Sequence, residues 1–277
     1  MARQGSGGRD AGPCHESRWR RLDHASRVGW SDRACRRNRA LGCRETLMAE
    51  ATPKADPQRG RFITFEGGEG SGKSTQIKIL AERLLAAKQH AIVTREPGGS
   101  PGAEIIRHLV LSGVGKLLGV DAETLLFAAA RDDHVRTVIR PALEQGVWVL
   151  CDRFADSTRV YQGQLGNVLP GVLNAMERVT IGDLKPDLTV ILDVPVEVGL
   201  QRAAARRGSG APDRFEAEDL AFHRKLRDAY REIAANDPQR CVVIDADTDL
   251  DTVAARIWAA LRERMLIADT ATQVTRA

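Results

Sequence analysis

Residues 61–74 read RFITFEGGEGSGKS, and Thr75 follows. The first six form a short, largely apolar run, the pattern of a buried strand. The next eight, Gly67, Gly68, Glu69, Gly70, Ser71, Gly72, Lys73 and Ser74, fit GxxxxGK[ST]. From residue 73 the apolar positions change period. Ile77, Leu80 and Leu84 share one helical face, with Ala81 and Leu85 beside it. Strand, glycine loop and helix, in that order, make a phosphate-binding loop. Glycines let the backbone curl and turn successive N–H groups toward an anion. The helix N-terminus adds partial positive charge. In such a loop Lys73 reaches the β- and γ-phosphates of a nucleoside triphosphate and Ser74 holds Mg2+. The loop alone leaves kinase, GTPase, ATPase motor and transporter subunit open.

Working outward, short apolar runs alternate with amphipathic stretches. Residues 90–95 (HAIVTR), 147–151 (VWVLC), 188–194 (LTVILDV) and 241–245 (CVVID) read as four further strands. Helices are predicted over 73–87, 102–111, 121–139, about 156–163, 170–181, 196–206 and about 216–235, and a last one carries Leu250, Val253, Ile257 and Leu261 on one face. Continuous apolar strands separated by helices predict an α/β fold of the P-loop NTPase kind: a five-stranded parallel sheet flanked by helices. Residues 207–212 (RGSGAP) read as a small polar loop.

The chain has 277 residues, 43% of them hydrophobic, and a formal charge of +4. That charge is local. Residues 1–47 hold 11 Arg against 5 acidic residues, which leaves 30 basic and 32 acidic residues for the remainder. The body carries a slight negative charge, which argues against nucleic acid as partner. No run approaches the roughly 18 apolar residues of a membrane span. Of five cysteines, Cys14, Cys35 and Cys43 lie in the first 47 residues, whereas Cys151 and Cys241 lie in strands. No pair has CxxC spacing, so neither a zinc site nor a disulfide framework is expected, and the cytoplasm is the expected compartment.

Residues 1–60 are expected to be a disordered or non-native extension, 61–266 the folded domain and 267–277 a frayed tail. The first 47 residues, with Trp19 and Trp30 isolated and no apolar periodicity, cannot offset their chain entropy by burial. A basic tail, a transit peptide and a true start at Met48 are the readings. Five acidic residues weigh against the second, and the start at Met48 is preferred.

Further motifs narrow the activity. Residues 94–99 read TREPGG, residues 127–134 FAAARDDH, and Asp152, Arg153 and Phe154 precede Ser157 and Tyr161, Gln162, Gly163. No NKxD tetrapeptide marks a guanine site. Strand 147–151 is followed by one acid and an arginine rather than the acid pair of a motor. These segments, with residues 186–194 (PDLTVILDV), resemble the thymidylate kinase family over nearly the whole of residues 61–265. Phe154 and Val160 stand where Tyr and Ala are more usual.

That resemblance implies an ATP-dependent kinase making dTDP from dTMP, with Mg2+ as cofactor and a homodimer as assembly. It implies that residues 67–75 hold ATP, that Ser74 and Asp152 serve the metal, and that loop 207–212 is a lid. Arg95 and Arg153 would grip the acceptor phosphate, since guanidinium binds phosphate oxygens in pairs. Phe127 would stack on thymine and Arg131 would hydrogen-bond a base carbonyl. Thr158 and Gln162 would meet the base edge, with Ser157 in the same site. Tyr161 would exclude a 2′-hydroxyl, and Glu69 would hold the sugar 3′-hydroxyl. Family members that carry an arginine inside the loop have it at the position of Gly70. Here the lid must supply it, with Arg206 and Arg207 as candidates among Arg202, Arg206, Arg207 and Arg214. The catalytic set is therefore Lys73, Glu69, Arg153 and a lid arginine. Two rivals remain: a deoxynucleoside kinase with Glu66 as base, and a P-loop switch or motor.

Overall fold

A computed structural model describes residues 59–113, 117–210, 214–264 and 266–267. The expectations for 1–60 and 267–277 fall almost wholly outside the described residues, as does part of loop 207–212.

Five strands form one sheet: β1 (Phe62–Glu66), β2 (Ala91–Arg95), β3 (Trp148–Asp152), β4 (Leu188–Asp193) and β5 (Cys241–Asp245). Their order is β2-β3-β1-β4-β5 and every pairing is parallel. The predicted parallel five-stranded sheet is therefore present. The helices are α1 (Lys73–Ala86), α2 (Pro101–Leu111), α3 (Val120–His134), α4 (Arg140–Glu144), α5 (Ala155–Thr158), α6 (Pro170–Thr180), α7 (Val196–Arg207), α8 (Leu220–Asn236) and α9 (Leu250–Glu263). None of the described helices is long and apolar enough to cross a membrane.

Side-chain alternation along the strands divides the core into two layers. Ile63, Phe65, Trp148, Leu150, Val190 and Leu192 face Ile77, Leu80 and Leu84 of α1 and Val253, Ile257 and Leu261 of α9. Phe62, Val149 and Cys151 face Val135, Ile139 and Leu143 on the other side. Ile191 joins Val160 and the α8 residues Leu226, Ala229 and Tyr230. Strands buried on both faces read as unbroken apolar runs, which is why they were legible. Truncating one such core Leu or Ile to Ala costs about 2–5 kcal/mol.

Three boundaries differ from expectation. The helix predicted over 121–139 runs on: α3 passes through a π-helical stretch, Val135–Ile139, into α4. The helix predicted over 156–163 is α5 followed by π-helical Arg159–Leu165. Such wide turns re-aim side chains and recur at functional sites, and this one carries Tyr161 and Gln162. The helix expected from about 216 begins at Leu220, because the Asp219 carboxylate accepts the Phe222 N–H and caps it.

β2 and β3 end level with each other at Arg95 and Asp152, β1 runs one residue further to Glu66, and β4 extends two residues past Glu66 to Asp193. The residues after them lie along the C-terminal edge of the sheet, where open parallel sheets bind ligands.

Candidate active site

The loop after β1 wraps a pocket lined by Glu69, Gly70, Ser71, Gly72, Lys73, Ser74, Thr75, Asp152, Arg153 and Arg206. Gly67 and Gly68 line the adjoining hollow with His223, Arg227 and Tyr230. Gly72, at φ 93, ends the loop as the N-cap of α1, so the first N–H groups of that helix open onto the pocket. Lys73 Nζ donates to the carbonyls of Gly67 (3.1 Å) and Gly68 (2.9 Å). Burial holds its pKa below the usual lysine value. Ser74 Oγ donates to Asp152 Oδ2 at 2.7 Å. A hydroxyl and a carboxylate side by side on the pocket wall are the hard oxygen donors that suit Mg2+.

Gly70 shows why a loop side chain is excluded. Its φ is +66, and a Cβ there would lie 1.9 Å from the Gly199 carbonyl oxygen and 3.1 Å from Ala203 N. The loop is pressed against α7, whose C-terminal end carries the lid arginines.

A second cavity opens beside the first. Arg95, Phe127, Arg131, Arg153, Ser157, Thr158, Tyr161 and Gln162 all line it, together with Glu69 and Asp152 of the loop pocket. The sequence motifs, scattered over about 70 residues, thus converge on one site. Phe127 is only half-buried and stands outside the apolar core. Arg95 is paired with Glu104 at the cavity rim.

Behind the cavity the motif residues interlock. Buried Glu96 accepts from Arg131 Nε (2.7 Å) and pairs with His134 Nδ1 (3.1 Å), and His134 Nε2 meets Thr94 Oγ1 at 2.7 Å. Arg131 Nη2 donates to Thr158 Oγ1 and the Phe154 carbonyl. These bonds use Nε and Nη2, which leaves Nη1 for a ligand.

Arg153 has a left-handed backbone, φ 70. That conformation is costly for a side chain with a Cβ and persists where the surroundings enforce it. Its guanidinium pairs with Glu69 Oε1 at 2.5 Å and donates to the Tyr230 hydroxyl (3.1 Å) and Gly67 carbonyl (3.3 Å). Glu69 therefore has a protein partner, Arg153, in addition to the sugar hydroxyl that the family resemblance implied. Burial pushes its carboxyl up, but Arg153, Lys73 and Arg206 outweigh this and hold it below the usual range.

Glu66 is fully buried. It accepts from Phe154 N (2.8 Å), Ser157 N (3.3 Å), Ser157 Oγ (2.7 Å) and Tyr230 OH (3.0 Å). Burial, then the Asp156 charge, pushes its pKa up to about 7. A carboxyl enclosed by four donors is not placed to deprotonate an acceptor, which removes the reading of Glu66 as base. Ser157 lines the cavity, yet its hydroxyl is engaged by Glu66 and Tyr230.

The lid arginines separate. Arg202 donates to the Ala246 carbonyl and lines a third cavity with Ser71, Gln76, Thr248 and Leu250. Arg214 pairs with Glu123. Arg207 is tied to Glu216 and the Gly210 carbonyl. Arg206 also reaches Glu216, at 3.3 Å, but it alone of these four lines the loop pocket.

Sequence reasoning missed Glu96, Pro97, Arg107, Leu111, Phe154 and Phe215 of the second cavity. Arg107 was detectable: with Ala103 and Val110 it falls on the inward face of α2, where an arginine is unexpected. Phe215 was not, because only the approach of its ring to Tyr161 (5.0 Å) brings it in.

A family model described as thymidylate kinase matches residues 65–257. The thymidylate kinase of Nitrobacter winogradskyi is 90% identical over 230 residues, which is 83% of this chain and 100% of that protein. That of Bradyrhizobium diazoefficiens is 74% identical over 219 residues, 79% of this chain and 96% of the relative. Among solved structures, thymidylate kinase from Ehrlichia chaffeensis aligns with a TM-score of 0.59 at 34% identity, covering 74% of this chain and 99% of that one.

Proposed function

Because the chain belongs to the thymidylate kinase family and phosphorylates dTMP to dTDP with ATP as donor, we propose a division of labour among its residues. Residues 67–75 hold the donor phosphates. The cavity holding Arg95, Phe127, Arg131, Thr158, Tyr161 and Gln162 takes dTMP. Glu69, Asp152 and Arg153, common to both pockets, mark the line of transfer. That shared wall is the observation carrying the reading: two pockets that meet at an arginine and two carboxylates suit a phosphate handed directly from one ligand to the other.

Transfer is in line, with no covalent intermediate on the protein. Mg2+, held through Ser74 and Asp152, would neutralise donor phosphate charge. Lys73 and Arg206 bring positive charge to the moving group, a contribution of several kcal/mol. Arg153, fixed by Glu69 and Tyr230, aims at the acceptor phosphate, and Arg95 and Arg107 approach it from the other side. Ser157 acts by holding Arg153 and Glu66 in place. Tyr161, packed edge-on against Phe215 and under Arg153, fills the space a 2′-hydroxyl would need. Gln76, Arg202 and Thr248 line the cavity available to the donor base.

The assembly is a homodimer in the cytoplasm. Ile105 and Leu109 of α2, Leu125 of α3 and Val172 and Val179 of α6 are exposed apolar residues on α3 and the two helices that pack against it, apolar surface that a second copy would cover. The catalytic unit is 61–266, so a protein beginning at Met48 should keep full activity; a loss greater than twofold would refute that boundary. Coupled ATP turnover with dTMP, thymidine or no acceptor tests the whole reading. Turnover with dTMP alone is expected, and equal turnover with thymidine would overturn the phosphate-gripping role of Arg95 and Arg153.

A further inference from the structure

Glu123 on α3 is a buried carboxylate, 3% exposed, that does not line the acceptor cavity. Its Oε1 accepts from Gln162 Nε2 at 3.3 Å and from Arg214 Nη2 at 3.0 Å, and its Oε2 accepts from Arg214 Nη1. A carboxylate has no proton to donate, so it can meet only the amide NH2 of Gln162. That fixes the orientation of an amide whose two ends are otherwise nearly equivalent in shape. The atom of Gln162 left to the cavity is its carbonyl oxygen, an acceptor. Arg214 supplies the charge without which burying this carboxylate would be costly.

We infer that Glu123 is a positioning residue that sets base specificity. By turning the Gln162 oxygen toward the acceptor base, it makes the cavity select pyrimidines whose ring N3 carries a hydrogen. The inference rests on the reading that Gln162 meets the base edge. Thymine and uracil present N3–H there and satisfy the oxygen. Cytosine presents a bare N3 lone pair, so two acceptors face each other and both lose their hydrogen bonds. Sites built on a polar match discriminate strongly for this reason. Without the carboxylate, the amide can rotate and offer NH2 to cytosine instead. Arg214 follows the lid loop, so the same carboxylate also ties the lid to the base it admits.

The test is the ratio of kcat/KM for dTMP to that for dCMP, with ATP saturating, in wild type, Glu123→Gln, Glu123→Asp and Gln162→Leu. In Glu123→Gln the new amide can meet either end of Gln162. In Glu123→Asp the charge stays for Arg214 but retracts from the amide, so this variant serves if the first does not fold. Both should lower the ratio at least tenfold, partly through a gain in dCMP turnover that a merely structural role would not produce. A ratio within twofold of wild type in whichever of the two folds overturns the inference. Gln162→Leu separates the premises. A KM for dTMP raised tenfold with the Glu123 ratios unchanged sinks only the orienting role, whereas an unchanged KM sinks the base-edge reading.

Discussion

Replacing Gly70 with alanine perturbs the site through backbone geometry alone. The added Cβ would stand 1.9 Å from the Gly199 carbonyl oxygen, where ordinary contact begins at 3.4 Å. Loop and α7 must therefore separate by about 1.5 Å. Neither side is a flexible side-chain end, so the phosphate loop or the start of α7 has to move. A misplacement of about 1 Å near a reacting group costs roughly 100-fold in rate, which is the expected fall in kcat. Stability falls as well. The left-handed backbone, φ +66, costs alanine about 1–2 kcal/mol, and overpacking adds about 1–3 kcal/mol. In a domain of this size that corresponds to a Tm lower by roughly 5–15 °C. Gly113→Ala is the control: its φ is +82, but a Cβ there meets nothing within 4 Å. It should lose only about 1 kcal/mol and leave kcat unchanged. Coupled ATP turnover and thermal unfolding of the three proteins decide the matter. A Gly70→Ala enzyme with kcat within threefold of wild type would refute the argument that this contact excludes a loop arginine and hands its role to the lid.

Arg206→Ala should lower kcat by about 100-fold or more with little change in the KM for dTMP, while Arg207→Ala should cost less than tenfold; steady-state kinetics showing the reverse order would exchange their roles. Arg95→Ala should raise the KM for dTMP by roughly 10–100-fold, the worth of a charge-assisted bond of about 1.5–3 kcal/mol, and leave the KM for ATP alone; an unaltered dTMP KM contradicts the acceptor-phosphate role. Glu66, raised to about 7 in the fold from about 4.3 in an unfolded chain, binds its proton more tightly when folded. Its contribution is therefore full below pH 4 and lost as pH rises through 7, on the order of 3 kcal/mol. Unfolding at pH 5 and pH 8 should show a smaller decline in Glu66→Gln than in wild type, and equal declines would argue against a neutral buried Glu66.

The periodic apolar runs, the loop at 67–74 and the order of the motifs were legible because each is set by residues close in the chain: strand alternation, helical spacing and the dihedral freedom of glycine are local properties. They determined the α/β class, the parallel sheet and the phosphate loop, and with the motif resemblance they named eight of the residues that line the second cavity. Other features depended on contacts between segments far apart. Arg206 and Arg207 are neighbours of identical chemistry and both reach Glu216, and only the turn of α7 against the loop places Arg206 and not Arg207 on the wall of the loop pocket. Glu66 reads the same as a base or a support until Ser157 and Tyr230, 91 and 164 positions away, close around it. Arg107, Phe215 and Glu123 carry no motif, and folding alone brings the first two to the cavity wall and the third to Gln162 behind it. Local sterics wrote the scaffold into the sequence, whereas long-range packing and the burial of charge decided which of its arginines and carboxylates line the two pockets.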